Sequence, residues 1–453
     1  MLPSILRHLP LFRRPWKPLN FTNQNFIRIP SNQLIEEETI PGYVASQYYP
    51  AHIGDVLKDR YQVVGKLGFG VTSTVWLARD LKRRRHVALK LYITSASMGS
   101  HFKNELDMYN RMETASKSHP GRGAIRPLLD SFNLDGPDGQ HQCLVHTAMW
   151  DTLLDFLHRN PIRRLPSPVL AFTLKRLFLA LDFLHTECKI IHTDIKAGNI
   201  MLATQDESVF SDLEEQELQN PCPRKEIEGR TVYSSRELKM TRSVGAPFLC
   251  DFGSAVPGDR VNTNDVQPDI YRAPEVVLGA PWTYSIDVWN AGCMIWDVFE
   301  GGHLFTGQDR EFKKYRSRAH LAEMVALLGP PPPGLLTRGS ETYKFFSNEG
   351  ELRSGVPLVG KMSLEERETT LKGDDRARFL RLVRKLLQWE SEKRWSAKEL
   401  SEFPIVASTR KPTNTDIARL RTAVIKLEGE EVKKEEVLEL EKWILVLFWR
   451  YLL

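Results

Sequence analysis

The stretch that most constrains the fold of this chain is IIHTDIKAGNI, residues 190–200. It follows a segment in which leucines recur at helical spacing, Leu170, Leu174, Leu177, Leu181 and Leu184. A charged loop directly after such a helix predicts side chains held in a fixed geometry. In it, Asp194 has the chemistry to accept a hydroxyl proton, Lys196 to steady phosphoryl charge, and Asn199 to bind a magnesium ion. The competing interpretation is a polar loop without chemistry.

Two further motifs lie upstream, where short β-branched runs predict strands. Residues 68–75, GFGVTSTV, form a glycine-rich turn in which main-chain N–H groups can approach anionic oxygens. Because this turn lies between strands and does not open a helix, it is not a dinucleotide-binding fingerprint. Lys90 ends the apolar run VALK, and an ammonium buried there needs an anionic partner. We expect phosphate oxygens and Glu105 to supply it; an exposed strand lysine is the alternative.

Two motifs also lie downstream of the charged loop. Residues 250–253 read CDFG, in which Asp251 would bind magnesium and Phe252 would pack beneath the helix that follows the lysine strand. The sequence Ala-Pro-Glu ends at Glu275 and would close the segment that begins at Asp251. We expect Arg394 to pair with the carboxylate of Glu275 and so fix this segment to the helical part of the chain that follows it.

The five motifs, in this order, resemble the protein kinase superfamily over residues 61–404. A more specific likeness is to the SR-protein kinases of the CMGC group. It rests on the approach segment at residues 42–61 and on the loop ending STVWL (residues 73–77). It also rests on Thr193, where most kinases have arginine, and on a spacer before the DFG motif. The segment HLAEMVALLGP, residues 320–330, is similar to the CMGC-type helix.

The resemblance implies an α+β, bilobal protein kinase fold, with a small β-rich N-lobe that carries helix C and a larger, mainly helical C-lobe. The implied organisation is a basic leader (1–34), a lead-in segment (35–60), a kinase domain (61–404, N-lobe 61–150, C-lobe 151–404) with a polar insert at about 203–246, and a C-terminal helical tail (405–453). We expect the leader, the insert and part of the tail to be disordered.

The resemblance also implies a serine/threonine protein kinase that uses ATP and Mg²⁺, and Lys196 fits the serine/threonine pattern. The implied catalytic residues are Asp194, Lys196, Lys90 and Glu105. The implied ATP-binding residues are Leu67, Gly68, Phe69, Gly70, Val71, Thr72, Ser73, Thr74, Val75, Ala88 and Lys90. The implied metal ligands are Asn199 and Asp251.

Some positions depart from the family pattern. His146 stands at the expected gatekeeper position, and the following hinge is unusual. Asp269 stands where CMGC kinases usually have arginine. Residues 309–318, DREFKKYRSR, are basic where the family's docking groove should be acidic. The basic segment argues against arginine-rich substrates. The His146 gatekeeper, the unusual hinge and the irregular tail make a pseudokinase that acts as a scaffold the main alternative, and a small-molecule kinase is a minor third one. Because Thr193 cannot pair with a phosphate, we also predict activity without phosphorylation of the activation segment.

Composition narrows the remaining possibilities. The net charge of +5 is too small to favour nucleic acid as a direct partner. The five cysteines are scattered without a CxxC pair, which argues against a disulfide framework or a structural zinc site. The apolar C-terminus, residues 443–453, is too short to cross a bilayer, so we expect no membrane partner. We expect a monomer whose partner is a protein with serine or threonine acceptors, either arginine/serine-rich or not. The family implies cytoplasm and nucleus, while the basic leader keeps mitochondria as an alternative.

Overall fold

The computed structural model of the chain describes residues 14–98, 104–159, 163–165, 167–227, 229–353 and 363–404. These residues form two compact units. The N-terminal unit contains the described residues of Met1–Leu106, Arg126–Trp150 and Ala203–Arg242, and the C-terminal unit contains the others. The first is built on a β-sheet and the second mainly on helices, which confirms the expected α+β architecture.

In chain order, the strands of the described residues are β1 (Val56–Leu57), β2 (Tyr61–Gly70), β3 (Ser73–Asp80), β4 (Arg85–Thr94), β5 (Leu128–Gly136), β6 (Gly139–Thr147), β7 (Asp151–Thr152), β8 (Ile190–Ile191), β9 (Ile200–Thr204), β10 (Arg224–Ile227), β11 (Arg230–Tyr233), β12 (Val244–Leu249), β13 (Val256–Pro257), β14 (Gln308–Asp309) and β15 (Lys314–Tyr315). The α-helices are α1 (Ser95–Met98), α2 (Asn104–Thr114), α3 (Leu153–Arg159), α4 (Ser167–Asp182), α5 (Ser208–Gln219), α6 (Pro274–Val277), α7 (Ser285–Glu300), α8 (Ser317–Leu328), α9 (Pro333–Arg338), α10 (Leu364–Arg367), α11 (Gly373–Leu386) and α12 (Ala397–Glu402).

The N-terminal unit contains an antiparallel sheet with the strand order β1-β2-β3-β4-β6-β5. Antiparallel sheets commonly leave one face to water, which gives strands of alternating polarity. Here β3 and β4 are buried almost along their whole length. Both faces of the sheet are therefore covered, and the nearly continuous apolar run in β4 reflects this.

The cover on one face comes from the insert. Cys222 and Tyr233 of the insert belong to the same buried cluster as Trp76 of β3 and Leu89 of β4. The ring centroids of Trp76 and Tyr233 lie 5.6 Å apart, edge to face. Helix α5 of the insert contacts the opposite face at the start of β4, where the carboxylate of Glu214 lies 3.0 Å from a ring nitrogen of His86.

The expectation that the insert is disordered is therefore wrong for its described residues. They fold into α5 and the antiparallel hairpin β10–β11. Residues 203–242 belong to the N-terminal unit, although the expected domain bounds place them inside the C-lobe. The physical reason is the apolar face of the sheet that carries Trp76 and Leu89. Burial of these side chains under the insert has a lower free energy than their exposure to water.

Residues 14–34 of the predicted leader also differ from the expected disorder. The main-chain N–H of Trp16 donates to the carbonyl oxygen of Leu81 at 2.8 Å. Leu19 exchanges two hydrogen bonds of 2.8 Å with the side chain of Gln62 in β2. The Arg79 guanidinium lies 4.6 Å from the centre of a Trp16 ring. Residues 1–13 lie outside the described part of the chain.

The core of the C-terminal unit is formed around α7, in which most side chains are buried. The Trp289 ring stacks on Phe305 at 5.9 Å, and the Phe299 ring contacts Phe379 of α11 at 4.8 Å. Helix α7 ends at Glu300 and is followed by Gly301, whose φ of 73° is a left-handed conformation that glycine adopts without a steric penalty. This helix carries polar residues into the core, and they position the site described below.

No helix among the described residues has both the length and the apolar character needed to span a bilayer. The predicted C-terminal helical tail, including its apolar end, lies outside the described residues.

Candidate active site

The glycine-rich turn is the tip of the β2–β3 hairpin. Gly70 pairs with Ser73, so Val71 and Thr72 form the turn itself. At Gly68 nothing lies within 4 Å of the position that a Cβ would take. A ligand can therefore approach this backbone closely, as the motif predicts.

Strand register places the predicted nucleotide-binding residues of β3 and β4 on one face of the sheet. Val75 pairs with Lys90, and Leu77 pairs with Ala88. Ala88 in turn pairs with His146 of β6. Because side chains alternate along a strand, Val75, Ala88 and Lys90 point away from the face on which Trp76 and Leu89 cluster with Cys222 and Tyr233 of the insert.

Lys90 and Glu105 form the expected ion pair. The ammonium Nζ lies 2.7 Å from Oε2 of Glu105, whose side chain is buried. The hydroxyl of Tyr92 donates to the same carboxylate oxygen. Lys90 is thus not the exposed strand lysine of the alternative interpretation. Both residues lie in the N-terminal unit, with Glu105 in the first turn of α2.

The charged loop brings Asp194, Lys196 and Asn199 together. The side-chain amide of Asn199 donates to both the carbonyl oxygen and Oδ2 of Asp194, each at 2.8 Å. Nζ of Lys196 lies 2.8 Å from Oδ2 of Asp194. The Asp194 carboxylate is therefore oriented by two donors and still lies at the surface of the unit, since its side chain is 17% exposed.

The buried carboxylate of Asp287, in α7, binds the backbone of this loop. Oδ2 of Asp287 accepts from the main-chain N–H of His192 at 2.8 Å, and Oδ1 accepts from that of Thr193 at 2.7 Å. Thr193 has a φ of 67°, an unfavourable conformation for a β-branched residue. The two hydrogen bonds to a charged acceptor offset that strain. The sequence analysis did not assign this role to Asp287, although a carboxylate in an apolar helix was the available signal.

The DFG residues are arranged as their motif predicts. Phe252 is fully buried, and its ring lies 5.3 Å from Tyr109 of α2 and 5.0 Å from His192. Asp251 has a φ of 65°, and strained backbone of this kind is typical of functional sites. Asp251, Asp194 and Asn199 all lie in the C-terminal unit.

The activation segment is fixed at both ends. At its start, the hydroxyl of Thr193 donates to the carbonyl oxygen of Ser254 at 2.9 Å. At its end, two guanidinium nitrogens of Arg394 donate to the carboxylate of Glu275 at 2.6 and 2.7 Å. Both side chains of this pair are buried. The predicted partnership of Arg394 and Glu275 is present.

Asn199 and Asp251 offer the hard oxygen donors that suit Mg²⁺. Because the Asn199 amide nitrogen is occupied by Asp194, its oxygen is oriented away from that residue and is available as a ligand. Among the described residues no cluster of three or more His, Cys, Asp or Glu has the geometry of a metal site. This agrees with the usual mode of Mg²⁺ binding, in which a few side chains act together with substrate phosphates and water.

One further contact in each unit involves a charged side chain that is buried or partly buried. The Arg126 guanidinium donates to the carbonyl oxygen of Thr147 at 2.9 Å, which fixes the strand end that follows His146. In the C-terminal unit, burial raises the pKa of Asp151 to about 7, and the Arg159 guanidinium at 2.7 Å acts in the opposite direction. The sequence analysis missed both contacts.

Comparisons with known proteins agree with this geometry. A family described as "Protein kinase domain" matches residues 61–406. A serine/threonine protein kinase of Aspergillus fumigatus is 39% identical over 394 residues, which cover 86% of this chain and 95% of the relative. The serine/threonine-protein kinase SRPK of Physarum polycephalum is 32% identical over 396 residues, which cover 82% of this chain and 92% of the relative. The mouse (Mus musculus) SRSF protein kinase 3 is 25% identical over 515 aligned residues, covering 82% and 90% of the two chains.

Proposed function

This chain belongs to the protein kinase family, and from that premise we propose that it transfers the γ-phosphoryl group of ATP to serine and threonine side chains, with Asp194 as the group that accepts the hydroxyl proton. The resemblance to SR-protein kinases is confirmed by the relatives, which are serine/threonine kinases. The observation that carries the assignment of roles is the fixed carboxylate of Asp194, oriented by Asn199 and Lys196.

Each unit contributes its own groups to the proposed reaction. In the N-terminal unit, Glu105 holds the Lys90 ammonium, which would bind the α- and β-phosphates. In the C-terminal unit, Lys196 would stabilise charge on the transferred phosphoryl group, while Asp194 would orient the acceptor hydroxyl and take its proton. Asn199 and Asp251 would hold Mg²⁺, which when bound supplies charge neutralisation at the phosphates. The scaffold alternative has no support, because none of these groups is missing.

The test is phosphate transfer by the full chain, with ATP labelled on the γ-phosphate, Mg²⁺ and a peptide with serine acceptors. Asp194→Asn should lower the rate by about two to four orders of magnitude, since it removes the proton acceptor but keeps the shape. Asp374→Asn, at an exposed position in the first turn of α11, is the matched control and should retain the rate. Equal rates for wild type and Asp194→Asn would contradict the assignment.

For the acceptor protein, we propose segments rich in arginine and serine. Two relatives carry names that refer to this class of kinase. On this chain, Asp265 and Asp269 of the activation segment are exposed, and a single guanidinium, that of Arg272, lies 3.1 and 3.0 Å from them. One carboxylate charge is thus left for a basic residue near the acceptor. The basic hairpin β14–β15 favours the opposite class, an acidic peptide.

A comparison of two peptides, one with Arg/Ser repeats and one acidic, decides between these classes. We expect the Arg/Ser peptide to be phosphorylated faster, and Asp269→Asn to raise its KM. Phosphorylation of the acidic peptide alone, abolished by the charge reversals Lys313→Glu and Lys314→Glu, would contradict the proposal. In that case the hairpin would be the substrate-binding surface.

We propose that the protein acts as a monomer in the cytoplasm and nucleus. The contacts of Trp16 and Leu19 support this compartment, because cleavage of a mitochondrial presequence after residue 34 would remove them from the sheet. Fluorescent fusions at the C-terminus test it: mitochondrial signal that is lost on deletion of residues 1–34 would contradict it. Light scattering of the purified chain tests the monomer.

A further inference from the structure

The tip of the phosphate loop is held by a tyrosine that lies outside the sheet. The hydroxyl of Tyr48, in the lead-in segment, donates to the carbonyl oxygens of Gly70 at 3.1 Å and Val71 at 3.0 Å. Tyr48 is only 4% exposed, although the neighbouring Val71 is 69% exposed. Burial, and to a smaller extent Glu37, raises the pKa of Tyr48, so its phenol keeps the proton that it donates.

The Tyr48 hydroxyl has one proton, which it shares between these two carbonyl oxygens, and this shared hydrogen bond fixes the direction of the amides that follow. In a planar trans peptide the C=O and N–H groups point to opposite sides. When the carbonyl oxygens of Gly70 and Val71 face Tyr48, the N–H groups of Val71 and Thr72 must face away from it. These are two of the main-chain amides that the glycine-rich motif assigns to phosphate oxygens. The carbonyl oxygen of Thr72 is fixed as well, because it accepts from the N–H of Ile93 at 2.9 Å.

The insert holds Tyr48 in place. The Arg230 guanidinium, in β11, donates to the carbonyl oxygen of Tyr48. The Tyr48 ring packs against Tyr43 with 5.1 Å between the ring centroids. Ser235, just after β11, donates from its main-chain N–H and its hydroxyl to the Glu36 carboxylate at 2.9 and 2.6 Å. The lead-in segment is thus fixed to the insert at Glu36 and at Tyr48 itself.

Charge pairs connect the same two segments to the sheet. Glu37 pairs with the buried ammonium of Lys66 in β2, four residues before Gly70. Glu38 lies 2.6 Å from the buried ammonium of Lys225 in β10. The main-chain N–H of Arg236 donates to the carbonyl oxygen of Lys66 at 2.8 Å. The strand that carries the phosphate loop is therefore supported by both segments.

We propose that Tyr48 is a positioning residue for ATP, and that the lead-in segment and the insert together hold the phosphate loop in its phosphate-binding conformation before the nucleotide arrives. This inference rests on the proposed use of ATP by this chain. The insert would then contribute to ATP binding, since Arg230 and Ser235 fix the segment that carries Tyr48. In a loop without such support, part of the binding free energy of ATP is spent on ordering the loop.

Tyr48→Phe tests the inference, because it removes the hydroxyl and keeps the ring. Dissociation constants for ATP and for adenosine are measured by titration calorimetry, together with kcat and KM of the full chain. We expect the variant to weaken ATP binding and raise KM for ATP by about 3–10-fold, the usual effect of one lost hydrogen bond, with adenosine affinity unchanged. Arg230→Met should act in the same direction. Tyr49→Phe, at the adjacent residue whose ring contacts His141, is the matched control and should change none of these values.

The outcomes separate the inference from a structural role and from the proposed function. Equal weakening of ATP and adenosine binding by Tyr48→Phe would indicate a general loss of structure and would overturn the inference. Unchanged ATP binding in both Tyr48→Phe and Arg230→Met would overturn it as well. If the wild type itself bound no ATP, the proposed function would fail. If the wild type phosphorylated a peptide and both variants had the same ATP affinity and KM as the wild type, the inference alone would fail.

Discussion

Replacing Lys66 by methionine should lower the free energy of unfolding by about 3–5 kcal/mol, the usual cost of removing one member of a buried ion pair. Lys66 is 1% exposed, and the carboxylate of Glu37 that would lose its partner is 6% exposed. The ammonium also donates to the carbonyl oxygen of Tyr233 at 3.1 Å, a bond that the thioether of methionine cannot make. The substitution therefore leaves a buried charge and a buried carbonyl without this donor.

The reverse substitution should cost less. In Glu37→Leu the Lys66 ammonium keeps a second carboxylate, that of Glu36, at 3.6 Å. We therefore expect a smaller loss, about 2–3 kcal/mol. In the double variant both charges of the Lys66–Glu37 pair are replaced by apolar side chains. Glu36 keeps its hydrogen bonds from Ser235, and the Tyr233 carbonyl oxygen loses the Lys66 donor. Most of the stability should then return, because well-packed apolar residues often replace a buried pair without net cost.

Equilibrium unfolding in urea, followed by circular dichroism, gives these four values as a double-mutant cycle. Lys239→Met is the matched control in the same unit, because its pair with Asp212 is exposed and should contribute less than about 1 kcal/mol. Additive losses in the double variant, or a loss for Lys66→Met no larger than that for Lys239→Met, would refute the reasoning.

Three further predictions concern the C-terminal unit. Thr193→Val should lower kcat, because it removes the hydrogen bond to the carbonyl oxygen of Ser254. Wild-type protein treated with phosphatase should keep its kcat. Loss of activity on that treatment would contradict the prediction of activity without phosphorylation. Arg394→Met should cost about 3–5 kcal/mol of unfolding free energy, since Glu275 would remain buried without its partner, and a loss below 1 kcal/mol in urea unfolding would speak against this. Burial lowers the pKa of His320 to about 3, so the unfolded chain binds more protons below pH 6.5 and stability should fall on acidification from 6.5 toward 3. His320→Phe should flatten this part of the profile, and unchanged slopes of unfolding free energy against pH would count against it.

Much of the site could be predicted because its chemistry is encoded in short, contiguous runs. Asp194, Lys196 and Asn199 stand within six residues of each other, and their mutual hydrogen bonds need only the local loop conformation. The pairing of Lys90 with Glu105 follows from the cost of burying a lone ammonium next to a predicted helix. The relatives then confirmed the serine/threonine kinase assignment, whereas the individual residue roles stay predictions.

The insert is where prediction from sequence failed. Its polar, acidic beginning suggested disorder, yet α5 lays Phe210 and Leu213 onto the sheet and places Glu214 beside Arg79 and His86. The apolar run in β4 already indicated that both faces of the sheet are covered. The apolar run did not indicate which segment covers each face, because a sheet face covered by the insert and one covered by another segment have the same hydrophobic pattern.

By itself, then, the sequence determined the fold class and the family, and it predicted which residues carry the chemistry, since each depends on neighbours along the chain. Tertiary structure alone decided what supports them. Tyr48 meets Gly70 across 22 residues, Glu37 meets Lys66 across 29, and Asp287 meets Thr193 across 94. Such contacts form because burial leaves each polar group only a few possible partners, and which partners are near depends on how the elements pack.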